Sequence, residues 1–233
     1  MYERIVDSTN AAALGLAERG TPEWTIVGAG HQTAGRGRLG RTWRSEPGAS
    51  LLFSLVLRPR LAPARAVVLT LGAGAAGAEA SAAASRAEVM CKWPNDLVTE
   101  DGKVGGILLE SKVSSGRLMH VVVGVGINLE RSPNVPGAAA LGPTDVYVLL
   151  SRFLVRCRDL FEPADGSVTS RVLAAYRPRC STLGMRVRAS TVTGEWVEGV
   201  AEDLDGEGTL LVRTGSELRP VAFGEVEHLS HRA

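Results

Sequence analysis

The chain opens as short apolar runs separated by polar breaks, a rhythm that predicts strands with a helix between them. YERIV (2–6) reads as a short strand. Ser8-Thr9-Asn10 then caps a helix running to about Arg19, which Gly20 stops. EWTIVGAG (23–30) and SLLFSLVLRP (50–59) read as strands, the second ended by Pro59. A long alanine-rich helix is predicted over roughly 63–86. Three strands follow at Glu88–Lys92, Asp96–Glu100 and Lys103–Ser111, the last two joined by a turn at Glu100-Asp101-Gly102. LMHVVVGVGINL (118–129) is a further strand, and residues 131–143 form a Pro/Gly/Ala-rich loop. Two helices are predicted at 144–161 and about 167–177, the second stopping near Pro178. From Gly184 short alternating strands are separated by Thr-Gly, Asp-Gly and Gly-Ser turns, the pattern of a small antiparallel barrel. The expected division is 1–182 and 183–233, and a chain ending near Thr182 is expected to stay folded.

Composition narrows the function classes. Of 233 residues, 45% are hydrophobic, ample for a buried core. A net charge of +1 excludes a globally basic nucleic-acid binder and leaves room for a local basic patch. The three cysteines are odd in number and far apart, with no C-x-x-C, so reduced thiols and no zinc site are expected. Cys91 lies in an apolar run and reads as core. The N-terminus has no apolar signal region, and no run of about 18 apolar residues is expected to span a membrane. Leu69–Ala84 is punctuated by Gly and Ser and reads instead as a helix packed on a sheet. A soluble cytoplasmic protein is expected.

QTAGRGRLGRTW (32–43) contains the G-x-G-x-x-G spacing at Gly35, Gly37 and Gly40. A dinucleotide-binding turn needs a helix straight after the third glycine and an acid about 20 residues on. Here RTWRSEPGAS follows, then another strand, and Arg60 stands where the acid would be. The Rossmann reading fails, and no phosphate loop of the G-x-x-x-x-G-K-[ST] type is present. What remains is a loop with Arg36, Arg38 and Arg41 between glycines, suited to closing on a phosphate. A solvated basic loop has the same spacing.

A second constellation decides between these. KWPND (92–96) joins two strands, and Pro94 holds Trp93 extended, which predicts an indole wall beside Asn95 and Asp96. In GKVGGILLE (102–110), Gly105-Gly106 strips side chains from a strand, which weakens a sheet unless a ligand or another backbone must approach. Lys103 precedes that gap and is expected across the hairpin from Asp96.

GRGRLGR, KWPND and KVGGILLE, with DSTN before them and GVGIN after, resemble in order the catalytic core of biotin protein ligases, from Asp7 to Asn128. The tail resembles that family's SH3-like C-terminal domain. The resemblance implies an α+β fold, a mixed sheet flanked by helices like the core of class II aminoacyl-tRNA synthetases. It implies activation of biotin with ATP and Mg²⁺ to biotinyl-5′-AMP, then transfer to one lysine of a biotin carboxyl carrier protein. By motif, Ser8, Thr9, Asn10, Gln32, Gly35 and Arg36 would surround biotin, with Gly105, Gly106 and Ile107 as the floor. Hydroxyl and amide groups suit a buried urea, which needs both donors and acceptors. Lys103 is the principal catalytic candidate, with Asp96 and Arg38. A fixed ammonium there offsets repulsion between a carboxylate and the α-phosphate. Arg36, Arg38, Arg41, Trp43, Lys92, Asn95 and Asn128 would hold ATP or the adenylate, Asn128 reading the adenine edge. Asn95 or Asp96 could meet Mg²⁺, a ribose or the incoming lysine, and no tightly bound metal is expected.

Only six residues precede DSTN, too few for the DNA-binding domain of bifunctional members, so no DNA partner and no membrane partner are expected. Leu39 in the loop fits a dimer contact or simple filler, leaving monomer and homodimer open. A lipoate ligase shares the adenylation logic and lacks this arginine-rich loop. An RNA- or anion-binding module explains the loop and barrel without explaining Lys103 beside Gly105-Gly106.

Overall fold

The computed structural model describes residues 1–130, 135, 137–162, 167–191, 194–222 and 224–229. The loop expected at 131–143 falls outside the described residues at 131–134 and 136. Strands β1 (Tyr2–Glu3), β2 (Ile26–Ala29), β3 (Ser50–Leu57), β4 (Met90–Lys92), β5 (Asp96–Thr99), β6 (Gly102–Ser114) and β7 (Arg117–Asn128) form one sheet. Its order is β1-β2-β3-β7-β6-β5-β4. β1 runs parallel to β2 and the other neighbours are antiparallel. This is the mixed sheet expected from the sequence.

Alternation along β3 and β7 assigns the two faces to different helices. Val56 and Val122, with Val27 of β2, meet Ala13 and Ala17 of α1 (Thr9–Glu18). Phe53, Leu55, Val121, Val123 and Val125 point the other way, into the core shared with α2 (Val67–Ala84), α3 (Val146–Phe161) and α4 (Val168–Tyr176). Phe53 meets Phe153 of α3 edge to face, with ring centroids 5.2 Å apart. α2 is apolar on nearly every side because it lies between the sheet and two helices. At Gly72 a Cβ would stand 2.4 Å from the Phe161 ring and 3.0 Å from Val172 Cγ2, so a side chain there would push both aside. The segment Pro63–Ala84, which contains the discounted stretch Leu69–Ala84, is by length and composition long and apolar enough to cross a membrane, with a mean hydropathy of 1.3. Here that apolarity is used in the core.

The tail folds as β8 (Arg186–Ser190), β9 (Trp196–Leu204), β10 (Leu210–Thr214), β11 (Glu217–Val221) and β12 (Val226–His228). They form a five-stranded antiparallel sheet in the order β11-β10-β9-β8-β12. Its buried alternate residues, among them Val187, Ala189, Leu204, Leu210 and Val212, join the same core as α2. Trp93 makes the seam. It is 1% exposed, and its Nε1 donates to the Gly208 carbonyl at 3.1 Å. Its backbone N–H donates to Thr182 Oγ1 at 3.0 Å, and that hydroxyl lies 3.1 Å from His228 Nε2. Trp93 does border the cleft that Asn95 and Asp96 line, but its indole is buried in the seam rather than presented as an open wall. An indole this apolar is buried more favourably between the two sheets than at a wet cleft.

Candidate active site

The paired strands set the floor of a cleft. Register places Asp96, Gly106, Gly126 and Leu52 in one row across β5, β6, β7 and β3. The next row on the same face is Leu108, Gly124 and Ser54, and the third, Glu110, Val122 and Val56, runs under α1. The first two rows hold bare backbone where side chains would otherwise project. Trp43 lies on this bare strip, and a Cβ on Gly126 would come 2.8 Å from its Cε2.

Lys103 reaches the floor through a bulge. β5 and β6 pair Asp96 with Gly106 and Leu97 with Gly105, then slip so that Val98 faces Lys103. One extra residue on β6 turns the Lys103 side chain onto the Gly106 face. The expectation that Lys103 sits opposite Asp96 in the hairpin is thus corrected in register, although the two side chains do meet. Lys103 Nζ donates to Asp96 Oδ1 at 2.6 Å and lies 3.6 Å from where a Gly106 Cβ would be.

At the other end, the start of α1 meets β3 and the residues after β2. Ser8 caps the helix by accepting from Ala11 N at 3.4 Å. Gln32 Oε1 accepts from Thr9 N at 2.8 Å and from Thr9 Oγ1 at 3.0 Å, which leaves the Gln32 amino group as the end available to a ligand. Ser54, wholly buried, reaches Thr9 Oγ1 at 2.8 Å and donates to Asn10 Oδ1 at 2.6 Å.

The Gly/Arg loop folds over the cleft as a hairpin of its own. Gly37 N bonds Arg41 O and Trp43 N bonds Gly35 O. Arg38 donates to Asn95 Oδ1 at 2.8 Å and to the Gly224 carbonyl at 3.2 Å, while Arg41 pairs with Glu225. Burial pulls the Arg38 guanidinium below its ordinary pKa, opposed by the charges of Asp96 and Glu225. The next strand, β3, runs antiparallel to β2, which removes any Rossmann crossover.

One cleft of about 350 Å³ brings together Ser8, Thr9, Asn10, Gln32, Arg36, Arg38, Arg41, Trp43, Lys92, Asn95, Asp96, Lys103, Gly106 and Ile107. Three sequence candidates do not line it. Gly35 is buried where a Cβ would meet Trp43 O at 2.6 Å, so it serves the loop's own closure. Gly105 turns to the opposite face, where a Cβ would meet Gly126 O at 2.9 Å. Asn128 spends its amide on Ser50 Oγ at 3.2 Å and on the Ala139 carbonyl at 3.0 Å, holding the segment that runs beside Lys103. A contact with an adenine edge would have to be made beside, or in exchange for, these two bonds. Gly124, Gly126, Ser54, Glu110 and residues 224–227 were missed from the sequence. The period-two glycines of GVGIN were the available signal for the first two.

The sequence and the fold match known proteins over most of their length. The biotin/lipoate A/B protein ligase family model matches residues 2–128, and the biotin protein ligase C-terminal domain model matches 182–229. The chain belongs to the biotin/lipoate protein ligase family. The biotin–[acetyl-CoA-carboxylase] ligase of Paracoccus denitrificans is 36% identical, covering 93% of this chain and 95% of that one. The enzyme of the same name from Mycobacterium tuberculosis is 35% identical, covering 95% and 86%. Among solved structures, the biotin protein ligase of Aquifex aeolicus in complex with biotin and ATP is similar, with a TM-score of 0.78 and 26% identity over 97% of each chain. In the frame of this ligase family, the glycine strip and the Lys103–Asp96 pair lie in one cleft between α1 and the Arg loop.

Proposed function

We propose that this chain activates biotin with ATP to biotinyl-5′-AMP and transfers the biotinyl group to a lysine of a biotin carboxyl carrier protein. The observation that carries this reading is the cleft's polarity. It is neutral and hydrogen-bonding at Ser8, Thr9 and Gln32, floored by Gly106, Gly124 and Gly126 with the Asn10 amide and the Trp43 ring laid against the last two, and cationic at Lys103, Arg38 and Arg41. A molecule with a urea head, flat rings and a carboxylate at the far end fits that gradient.

The Ser8 and Thr9 hydroxyls and the Gln32 amino group meet the ureido edge. The rings lie on the glycine strip with Trp43 as their wall, a role in biotin rather than adenylate binding. The biotin carboxylate oxygen attacks the α-phosphorus of ATP, a P–O bond forms and pyrophosphate leaves. Lys103, held by Asp96, places its ammonium between two anions that otherwise repel, a stabilisation that grows in the transition state. The carrier amine then attacks the acyl carbon and AMP leaves, with Asp96 as the carboxylate beside the proton that must depart.

Mg²⁺ is proposed to enter with the nucleotide. Among the described residues no group of three or more His, Cys, Asp or Glu side chains could hold a metal. Asn95 gives its carbonyl to Arg38 and its amino group to the Ile107 carbonyl at 3.0 Å, so it does not suit a cation. Asp96 suits a magnesium held mainly by phosphates and water, the usual manner for this ion. When bound, it neutralises phosphate charge.

Residues 1–182 are proposed as the ligase core and 183–233 as an appended sheet that closes the cleft through residues 224–227. The three cysteines are free and buried, in keeping with a reducing cytoplasm. The experiment is ATP–pyrophosphate exchange. Exchange that requires biotin supports the reading, and exchange driven by lipoate in its place overturns it.

A further inference from the structure

The three loop arginines face different walls. Arg38 and Arg41 reach across the cleft to Asn95, Gly224 and Glu225. Arg36 turns back toward α1, pairing its Nη1 with Glu110 Oε1 at 3.0 Å and bringing its Nε to 3.4 Å from Ser8 Oγ. The second Glu110 oxygen accepts from Asn10 Nδ2 at 2.7 Å. The Asn10 amino group also reaches the Leu108 carbonyl at 3.3 Å, and its Oδ1 accepts from Ser54. A Cβ on Gly124 would stand 2.0 Å from Asn10 Oδ1, so the amide lies flush on bare backbone. Glu110 lies four residues beyond Gly106 on β6, hence on the same face. A carboxylate in the run GILLE thus touches the two groups that frame the inner end of the cleft.

We propose that Glu110 is a positioning residue for that end. With one oxygen it holds the first limb of the loop through Arg36, and with the other it sets the Asn10 amide against the floor. The loop is therefore anchored on the ureido side before any phosphate arrives, and its two limbs answer to different substrates. Arg36 follows biotin, whereas Arg38 and Arg41 follow ATP. The carboxylate also balances the charge of Arg36, keeping that cation from the phosphate end. The tether itself is independent of the proposed reaction, and only the name of the ligand rests on it.

Glu110→Gln keeps an acceptor for Asn10 and removes the charge facing Arg36, whereas Glu110→Ala removes both. In ligand-free protein, trypsin is expected to cut the Arg36–Arg44 stretch about two- to fivefold faster in Glu110→Gln, the range for loss of one partly exposed charged pair. In pyrophosphate exchange the biotin KM is expected to rise by a similar factor while the ATP KM holds. Arg36→Gln combined with Glu110→Gln is expected to be no worse than the worse single variant, because the pair acts as a unit. Unchanged cleavage overturns the proposal, as does an ATP KM that rises in step with the biotin KM, or losses that multiply in the double variant. Should wild type exchange nothing with biotin while Glu110→Gln still loosens the loop, the proposed function falls and the tether stands.

Discussion

Lys103 is two-fifths exposed and paired with Asp96, so its value to the fold is small and its value to the chemistry is proposed to be large. Lys103→Ala is expected to lower the adenylation rate by about 10²–10³, the scale of removing one preorganised charge from a transition state, with the thermal midpoint little changed. Supplied biotinyl-AMP should still be partly used by that variant, and wild-type adenylation would remove Lys103 from the mechanism. Gly126 makes the complementary case, since its function is to have no side chain. A Cβ there meets the Trp43 ring, a movable partner, so Gly126→Ala should fold while displacing the indole. Overpacking of about 1–3 kcal/mol implies biotin affinity roughly five- to hundredfold weaker, checked by isothermal titration. The sequence showed Lys103 and Gly106 because both lie in a stretch whose glycines are conspicuous in a strand. It did not show which glycine faced the ligand, since Gly105 and Gly106 differ only by the alternation of the pleat. The bulge that turns Lys103 inward leaves no mark in composition.

At the scale of elements, the Gly/Arg loop is a hairpin with its own backbone bonds, more ordered than glycine and like charges alone suggest. Its order is drawn from Asn95, Gly224, Glu225 and Glu110, four anchors distant in sequence and so beyond the reach of local pattern. Arg38→Gly removes the anchor to the KWPND strand and to the tail together. Release of labelled biotinyl-AMP is expected to accelerate about tenfold or more, from a charge-assisted contact of about 1.5–3 kcal/mol, with bystander lysines becoming labelled. Unchanged release would show that the loop does not seal the intermediate. Helices and strands, by contrast, were legible to within a few residues. The cap at Ser8, the glycine stop after α1 and the alternation of β3 are local signals, and tertiary contacts agree with each of them.

The whole molecule behaves as one packed body rather than a core with an ornament. Removing everything after Thr182 would uncover Trp93 and strip Leu71 and α2 of neighbours, so a chain ending there is expected to have a lower thermal midpoint than the whole protein. The seam also carries a titrating group. Burial, then the nearby charge of Lys92, holds His228 below the usual histidine range. Neutral His228 can accept from Thr182 Oγ1 or donate to it according to its tautomer, Thr182 Oγ1 itself accepts from Trp93 N, and a protonated ring can only donate. A lowered folded pKa means that the unfolded chain takes up the proton first. The stability due to this group is therefore complete above about pH 6.5 and is lost as pH falls through the folded value. His228→Gln is expected to flatten the acid side of a thermal-midpoint profile below that pH. A profile identical to wild type would assign the acid sensitivity elsewhere, with His120, also shifted down by burial, as the next group to test.

The four tryptophans differ in setting: Trp43 and Trp93 both border the cleft, but Trp43 lies on its glycine floor, with a buried ring nitrogen that has no hydrogen-bond partner. Trp93 is sealed in the seam, Trp24 is tied to Glu162, and Trp196 lies beneath Arg188 on the outer sheet. The protein therefore carries an intrinsic fluorophore resting on the strip where a ligand would lie. Light emitted by a variant keeping only Trp43 should shift in colour and intensity as the cleft fills. That signal would give a binding isotherm without labels, radioisotopes or turnover.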